Sequence, residues 1–276
     1  MPETNQTAVR DTQVIPSTRP ILVIGTSHTT AIAAALTEHD REKIDVVNIG
    51  TFFGPMKGRG KVLDPKLSGM FAPQRIFCSF GGSEHNVLGL METPAPFDFH
   101  SDASAQLGAD RSAVPRAVIR RTLLWRMEKW LALASETKSM FGVPVTHICS
   151  PPPFLAIDET TRLPSDFVAN ISMGVAPADL RRKLHELHTE IAREHMKAAG
   201  IDFLPFPPEA VDEEGYLKHS LWSRDPTHGN ADYGKLVLRQ IQEMLRCVAT
   251  IPISVCLIIS SGATSPPSAT QGPLIR

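Results

Sequence analysis

Five short apolar runs constrain this chain most: Pro20–Ile24, Lys43–Ile49, Arg75–Phe80, Val143–Ser150 and Ile201–Pro205. Each is rich in Val, Ile, Leu or Phe, and none alternates cleanly between apolar and polar residues. A strand with one face in water alternates, whereas a strand covered on both faces does not, so the pattern predicts a parallel sheet with helices above and below it. Helical patterns fill the intervals. Thr29–His39 follows the first run directly, and Arg111–Phe141 is long, with Trp125 and Trp130 among its apolar positions and Pro115 near its start. In Pro177–Ala199, Leu180, Leu184, Leu187 and Ile191 fall on one stripe, with Pro177 suited to the first turn and Gly200 to the position past the last. Asn230–Leu245 carries Tyr233, Val237, Ile241 and Met244 on one face, with Asn230 near its N-cap. Strands alternating with helices predict an α/β domain with a mostly parallel sheet.

At 276 residues and 42% hydrophobic, the chain suits one large domain or a domain with tails. Its formal charge of −1 argues against a nucleic-acid protein that works by neutralising phosphates. Arg116, Arg120, Arg121 and Arg126 share the long helix and read as a solvated face. The cysteines, Cys78, Cys149, Cys247 and Cys256, lack paired spacing, so neither a disulfide framework nor a zinc site is expected. Cys78 and Cys149 lie in apolar runs, where a thiol behaves as a small buried hydrophobe. Residues 1–19 read as a disordered polar tail without the apolar stretch of a signal peptide, and a cytoplasmic setting is expected. The domain is placed at residues 20–247. Beyond it, Val248–Ile259 is apolar but shorter than the roughly 20 residues a membrane span needs. Pro252 interrupts it, and a Pro/Ser/Thr-rich tail follows.

In sheets of this kind, sites form outside the carboxyl ends of the strands. There the sequence places Ser27, Gly50, the Gly81-Gly82 pair and Ser150. The first run stops at Gly25-Thr26-Ser27-His28, which exposes a serine on a strand-to-helix turn. Asp225-Pro226-Thr227-His228-Gly229-Asn230 precedes the last helix. Ser27, His228 and Asp225 are the residue types of a hydrolytic triad. Serine attacks an acyl carbon, histidine takes its proton and returns it to the leaving group, and aspartate holds the imidazole tautomer. Singly each is weak: Ser27 alone reads as an N-cap, and Asp225 as a turn residue. Their order and placement along the chain join them.

On these motifs, over roughly Pro20 to Cys247, the chain resembles the SGNH (GDSL-like) hydrolases. That family is named for a serine, a glycine, an asparagine and a histidine in separate blocks. The resemblance implies a flavodoxin-like, three-layer α/β/α sandwich with a mostly parallel five-stranded sheet. It also implies cleavage of esters, thioesters or O-acyl groups, with a small acylated substrate and neither cofactor nor metal. Gly25-Thr26-Ser27 looks like the first block, with Thr26 where the family has aspartate, and Asp225-x-x-His228 matches the last. The oxyanion donors it implies are the amides of Ser27 and Gly50, with Gly54 in reserve, and the side chain of Asn86. The third block here reads Gly81-Gly82-Ser83-Glu84-His85-Asn86, longer than the family pattern. Strict spacing would put Ser83 or Glu84 at the asparagine position; a carboxylate is a poor donor, so Asn86 is preferred and Ser83 held in reserve.

His185 and His188, beside Glu186, lack the His-Glu-x-x-His spacing and read as solvent-facing, so no metal is expected. His28, His85 and Trp222 flank the predicted site and are candidates for substrate contact. Phe52 and Phe53 either wall a pocket or pack in the core, and His100 and His219 read as loop residues. Three other functions stay open: an O-acyltransferase on the same fold, a non-catalytic SGNH-like binding module, and a phosphate-binding domain. The last lacks G-x-G-x-x-G and G-x-x-x-x-G-K-[ST]. The oligomeric state is open.

Overall fold

A computed structural model of the chain describes residues 16–52, 63–101, 106–157, 161–164, 167 and 171–249. The chain divides into two units, 1–238 and 239–276. Of the second, residues 239–249 are described and are helical. Phe53, Gly54, Cys256 and the tail from 250 onward lie outside the described residues.

In chain order the strands are β1 (Ile21–Gly25), β2 (Ile44–Asn48), β3 (Arg75–Ser79), β4 (Phe97–Asp98), β5 (Ser112–Ala113), β6 (Val145–Ile148) and β7 (Asp202–Leu204). Five form one sheet, in the order β2-β1-β3-β6-β7, with every neighbouring pair parallel. They are the five apolar runs, with β1 reaching one residue further, to Gly25. The missing alternation has its expected cause, since β1 and β6 are buried along their whole length. β4 and β5 pair separately.

The helices are α1 (Thr29–Ala35), α2 (Glu38–Arg41), α3 (Ile49–Phe52), α4 (Leu67–Met70), α5 (Glu84–Gly89), α6 (Arg116–Phe141), α7 (Ala178–Ala198) and α8 (Ala231–Ala249). Leu22, Ile24, Ile76, Cys78 and Val145 of the sheet share one core with apolar residues of α6 and α7, among them Leu123, Leu131, Leu184 and Ile191. On the opposite side Ala31 and Ile32 of α1 meet Val237 of α8 and Ile148 of β6 around a narrow cavity. The result is a three-layer α/β/α arrangement.

Local chemistry sets the helix limits. The expected single helix Thr29–His39 is two, because Leu36 is extended and Thr37 opens a capping box with Asp40. The long helix begins at Arg116 rather than Arg111. Pro115 stands at its N-cap, and Ser112–Ala113 are drawn into pairing with β4. Asn230 caps α8, its Oδ1 accepting from the amides of Asp232 (2.9 Å) and Tyr233 (3.2 Å).

Two expectations need correction. The polar tail does not extend to residue 19: Ser17 N–H donates to Met70 O (2.8 Å), and Ser17 Oγ donates to Asp45 Oδ2 (2.6 Å). The arginines of α6 are not a uniform solvated face either. Arg116 and Arg120 pair with Glu190, and Arg120 also with Glu194, tying α6 to α7. Cys78 and Cys149 are free and buried, as expected.

Candidate active site

The close approach of β1 to β3 fixes the first corner of the site. A Cβ at Gly25 would stand 2.1 Å from the Ser79 carbonyl oxygen, so only glycine lets the strand end run this tightly. Thr26 N–H donates to Ser79 O (2.9 Å). The chain then turns into α1, with Thr29 N–H donating to Thr26 O and Thr30 N–H to Ser27 O. Ser27 is left exposed at the carboxyl end of the sheet.

The second corner is a turn organised by one carboxylate. Asp225 Oδ1 accepts from Thr227 N–H (3.0 Å), from the Thr227 hydroxyl (2.7 Å) and from His228 Nδ1 (2.7 Å). Ser223 N–H donates to His228 O, and Asn230 Nδ2 donates to Ser220 O, which holds the turn at both flanks. On the far side of the ring, His228 Nε2 lies 2.7 Å from Ser27 Oγ. With Nδ1–H given to Asp225, Nε2 is the acceptor for the serine hydroxyl. The structure thus brings together the three residues that the sequence separates by 201 positions. Burial acts to raise the Asp225 carboxyl, but the hydrogen bonds from His228 and Thr227 outweigh it and hold the group far below the usual carboxylate range.

Behind this line stands a group of buried histidines. The His28 ring lies 4.7 Å from that of His228, tilted by 50°. Burial, and then the neighbouring His228, push its pKa well below the ordinary value. His85 lies against His185 (5.0 Å between ring centroids) and His188 (5.1 Å). His185 Nε2 meets Ser150 O (3.3 Å), and His188 Nε2 meets Glu84 Oε2 (3.2 Å). Burial lowers His85 well below the normal range, His147 to about 4 and His185 to about 3. Among the described residues no group of three His, Cys, Asp or Glu side chains is arranged to hold a metal ion.

Several expected contacts change. His185 and His188 do not face solvent: they are 3% and 5% exposed, because the Ser150 carbonyl and Glu84 give them partners inside. A signal was available, since His188 lies four residues after Leu184 on the apolar stripe. His85 is 2% exposed and faces α7, so it does not line the opening at Ser27. His28 is buried and meets His228 instead of open solvent. Trp222 stacks on Phe154 (4.4 Å, 5°) and donates Nε1–H to Leu217 O, which makes it part of the wall under the histidine turn.

The expected oxyanion donors have other surroundings. Gly50 N–H donates to Asn48 Oδ1 at 3.0 Å. Asn86 sits in the first turn of α5 with its side chain buried, and Ser83 is that helix's N-cap. Neither Gly50 nor Asn86 is hydrogen-bonded to Ser27. Sequence reasoning missed the ties of the intervening loop: Gly81 N–H to Thr26 Oγ1 (3.2 Å), and Gly82 N–H to Glu84 Oε2 (2.9 Å). The Thr26 hydroxyl therefore ties this loop to the end of β1.

No family model matches the sequence, and no curated protein matches it. Among solved structures the chain is similar to a GDSL-like lipase from Bacteroides thetaiotaomicron, at 12% identity and a TM-score of 0.43, covering 83% of this chain and 89% of that one. It is similar to a carbohydrate acetylesterase from Sinorhizobium meliloti, at 11% identity and a TM-score of 0.41, covering 83% and 99%. A third likeness is to the periplasmic domain of a lipopolysaccharide acetyltransferase from Salmonella ser. Paratyphi A, at 9% identity and a TM-score of 0.46, covering 84% and 85%. No described helix is long and apolar enough to cross a membrane.

Proposed function

We propose that this protein is a serine-dependent acyl hydrolase of SGNH type, acting on small esters or O-acylated carbohydrates through an acyl-enzyme on Ser27. One observation carries the reading: an exposed serine hydroxyl 2.7 Å from an imidazole nitrogen whose other nitrogen is 2.7 Å from a carboxylate. In the proposed reaction Ser27 Oγ attacks the acyl carbon while His228 Nε2 takes the hydroxyl proton. Collapse of the tetrahedral adduct expels the alcohol, which leaves with that proton. A water molecule then attacks the acyl-serine, His228 again taking the proton, and the acid departs with Ser27 restored. Asp225 holds the tautomer and stabilises the imidazolium that forms in each half. The oxyanion would be met by the Ser27 amide and by Asn86 after rotation of its side chain. The Gly50 amide would join once it released Asn48.

The test is labelling with a fluorophosphonate probe, followed by turnover of model esters of increasing acyl length, with Ser27→Ala and His228→Ala beside the wild type. Labelling and turnover lost in both variants support the reading. A folded wild type that neither labels nor turns over any ester defeats it. Asn86→Ala is expected to lower kcat by about 10²-fold or more; a loss at Ser83→Ala instead would move the donor to Ser83.

A further inference from the structure

The loop joining β3 to α5 passes close behind the proposed site. Gly81 and Gly82 both have positive φ, 67° and 99°, so the loop holds a conformation that L side chains rarely adopt. A Cβ at Gly82 would stand 2.8 Å from His28 Nε2, so the loop backbone is the surface against which His28 rests. His28 in turn lies against His228. Whatever fixes Gly82 therefore fixes the wall behind the histidine that faces Ser27.

One end of the loop is held from the serine side, where Thr26 Oγ1 accepts Gly81 N–H at 3.2 Å. The other end is held by Glu84. Its Oε2 accepts Gly82 N–H at 2.9 Å and meets His188 Nε2 at 3.2 Å. Glu84 is 8% exposed and His188 5%, so this carboxylate has exchanged water for two protein donors. A carboxylate in such a place is costly unless it is hydrogen-bonded. Its donors belong to the loop and to α7, so Glu84 joins the site loop to the helix layer beneath the sheet. The pairing with His188 also accounts for a carboxylate in the third block, where the family pattern calls for a donor: Glu84 Oε2 serves there as an acceptor.

We infer that Glu84, anchored by His188, is a positioning residue that holds the Gly81–Gly82 loop, and through it His28 and His228, in the geometry needed for acyl transfer. This rests on the esterase reading of the same site. Misplacing reacting groups by about 1 Å costs on the order of 10²-fold in rate. Glu84→Leu, which keeps bulk and removes the acceptor, is expected to lower kcat by about that factor with KM within about threefold. Glu84→Gln keeps an acceptor for Gly82 N–H and is expected to recover most of kcat.

The test combines Ser27-dependent ester turnover, resolved into kcat and KM, with amide hydrogen exchange at Gly82 measured by NMR, on variants whose near-UV circular dichroism matches wild type. Exchange at Gly82 about tenfold faster in Glu84→Leu but not in Glu84→Gln, with kcat following the same order, is the expected result. A folded Glu84→Leu variant with wild-type kcat and wild-type exchange overturns the inference. So does a Glu84→Gln variant as impaired as Glu84→Leu. If Glu84→Leu does not fold, His188→Leu beside His188→Gln, which retains a donor, makes the same comparison. If the wild type shows no Ser27-dependent turnover, the esterase reading has failed. The exchange measurement then still decides whether Glu84 holds the loop.

Discussion

Gly234 of α8 lies against the backbone of Ala31 in α1, so close that a Cβ at position 234 would stand 2.1 Å from the Ala31 carbonyl oxygen and 2.6 Å from its carbon. The contact lies between the helix that starts beside Ser27 and the helix that follows His228. It therefore helps set how near the two side chains come. Backbone atoms cannot swing aside as a side-chain tip can, so Gly234→Ala must move one helix. The expected cost is about 1–3 kcal/mol, seen as a lower Tm. A fall in ester turnover beyond that of other variants of equal Tm is also expected, since the displacement passes directly to the 2.7 Å Ser27–His228 contact. An unchanged Tm would show that the helices separate freely.

Lys183 is wholly buried on α7, yet every donor it carries is used. Its Nζ meets Asp98 Oδ1 (3.1 Å), the Gln106 carbonyl (2.8 Å) and Asp179 Oδ2 (3.0 Å). Asp98 also accepts from the amides of Phe99 and Gly108, at 2.7 Å each. Breaking a buried pair by removing one partner typically costs about 3–5 kcal/mol. Lys183→Met is expected to lower stability by that order in urea unfolding. The double variant Lys183→Met with Asp98→Asn should cost less than the two single changes added together.

The sheet could be read from the chain because burial on both faces leaves an unmistakable mark: every residue of β1 and β6 is apolar or fully enclosed. Ser27, Asp225 and His228 were equally legible, since a strand-end serine and a turn carrying Asp and His need only local geometry to be presented. The interior histidines were not. Whether His185 faces water depends on Ser150 O lying 3.3 Å away, a partner 35 positions distant that no helical periodicity encodes. Glu84 accepts from Gly82 N–H, which lies two residues away in the chain. Its pairing with His188 needed α7, and that juxtaposition arises only once α5 packs on α7. Gly50 followed the strand end as expected, but Asn48, two residues before it, competes for its amide.

The buried histidines make stability depend on pH. His28, His85, His147 and His185 all have folded pKa values below the ordinary 6.5, with burial the first cause in each. A histidine with a depressed folded value stays neutral in the native state while the unfolded chain takes up a proton. Stability therefore falls as pH drops below about 6.5, and the loss continues until the folded value is reached. Each group contributes up to about 1.4 kcal/mol per pH unit, and the four act in the same direction. Glu84 and Asp225, with folded values below their ordinary ones, stabilise at higher pH and lose that contribution only at still lower pH. The urea midpoint is expected to drop steeply between pH 7 and pH 5.5. A flat profile over that interval would mean that the histidines take up protons in the native state.

The proposed mechanism predicts an asymmetric response at Asp225. The carboxylate only accepts: its Oδ1 accepts the hydrogen bond from His228 Nδ1–H, leaving Nε2 free to accept from Ser27. Asn in its place can turn an N–H toward Nδ1, which moves the imidazole proton to Nε2 and removes the acceptor the serine needs. Asp225→Asn is therefore expected to lower kcat by about 10³–10⁴-fold, with KM little changed. Groups that act as one unit are not additive, so Asp225→Asn combined with His228→Ala should be no slower than His228→Ala alone. If the double variant were slower by the product of the two single effects, Asp225 would be acting on the reaction by a route other than His228. The Thr227 amide and hydroxyl share Oδ1 with His228, so an Asn that turns its N–H toward Nδ1 also takes an acceptor from the turn. Stability measured beside kcat therefore separates the turn-holding effect from the tautomer effect.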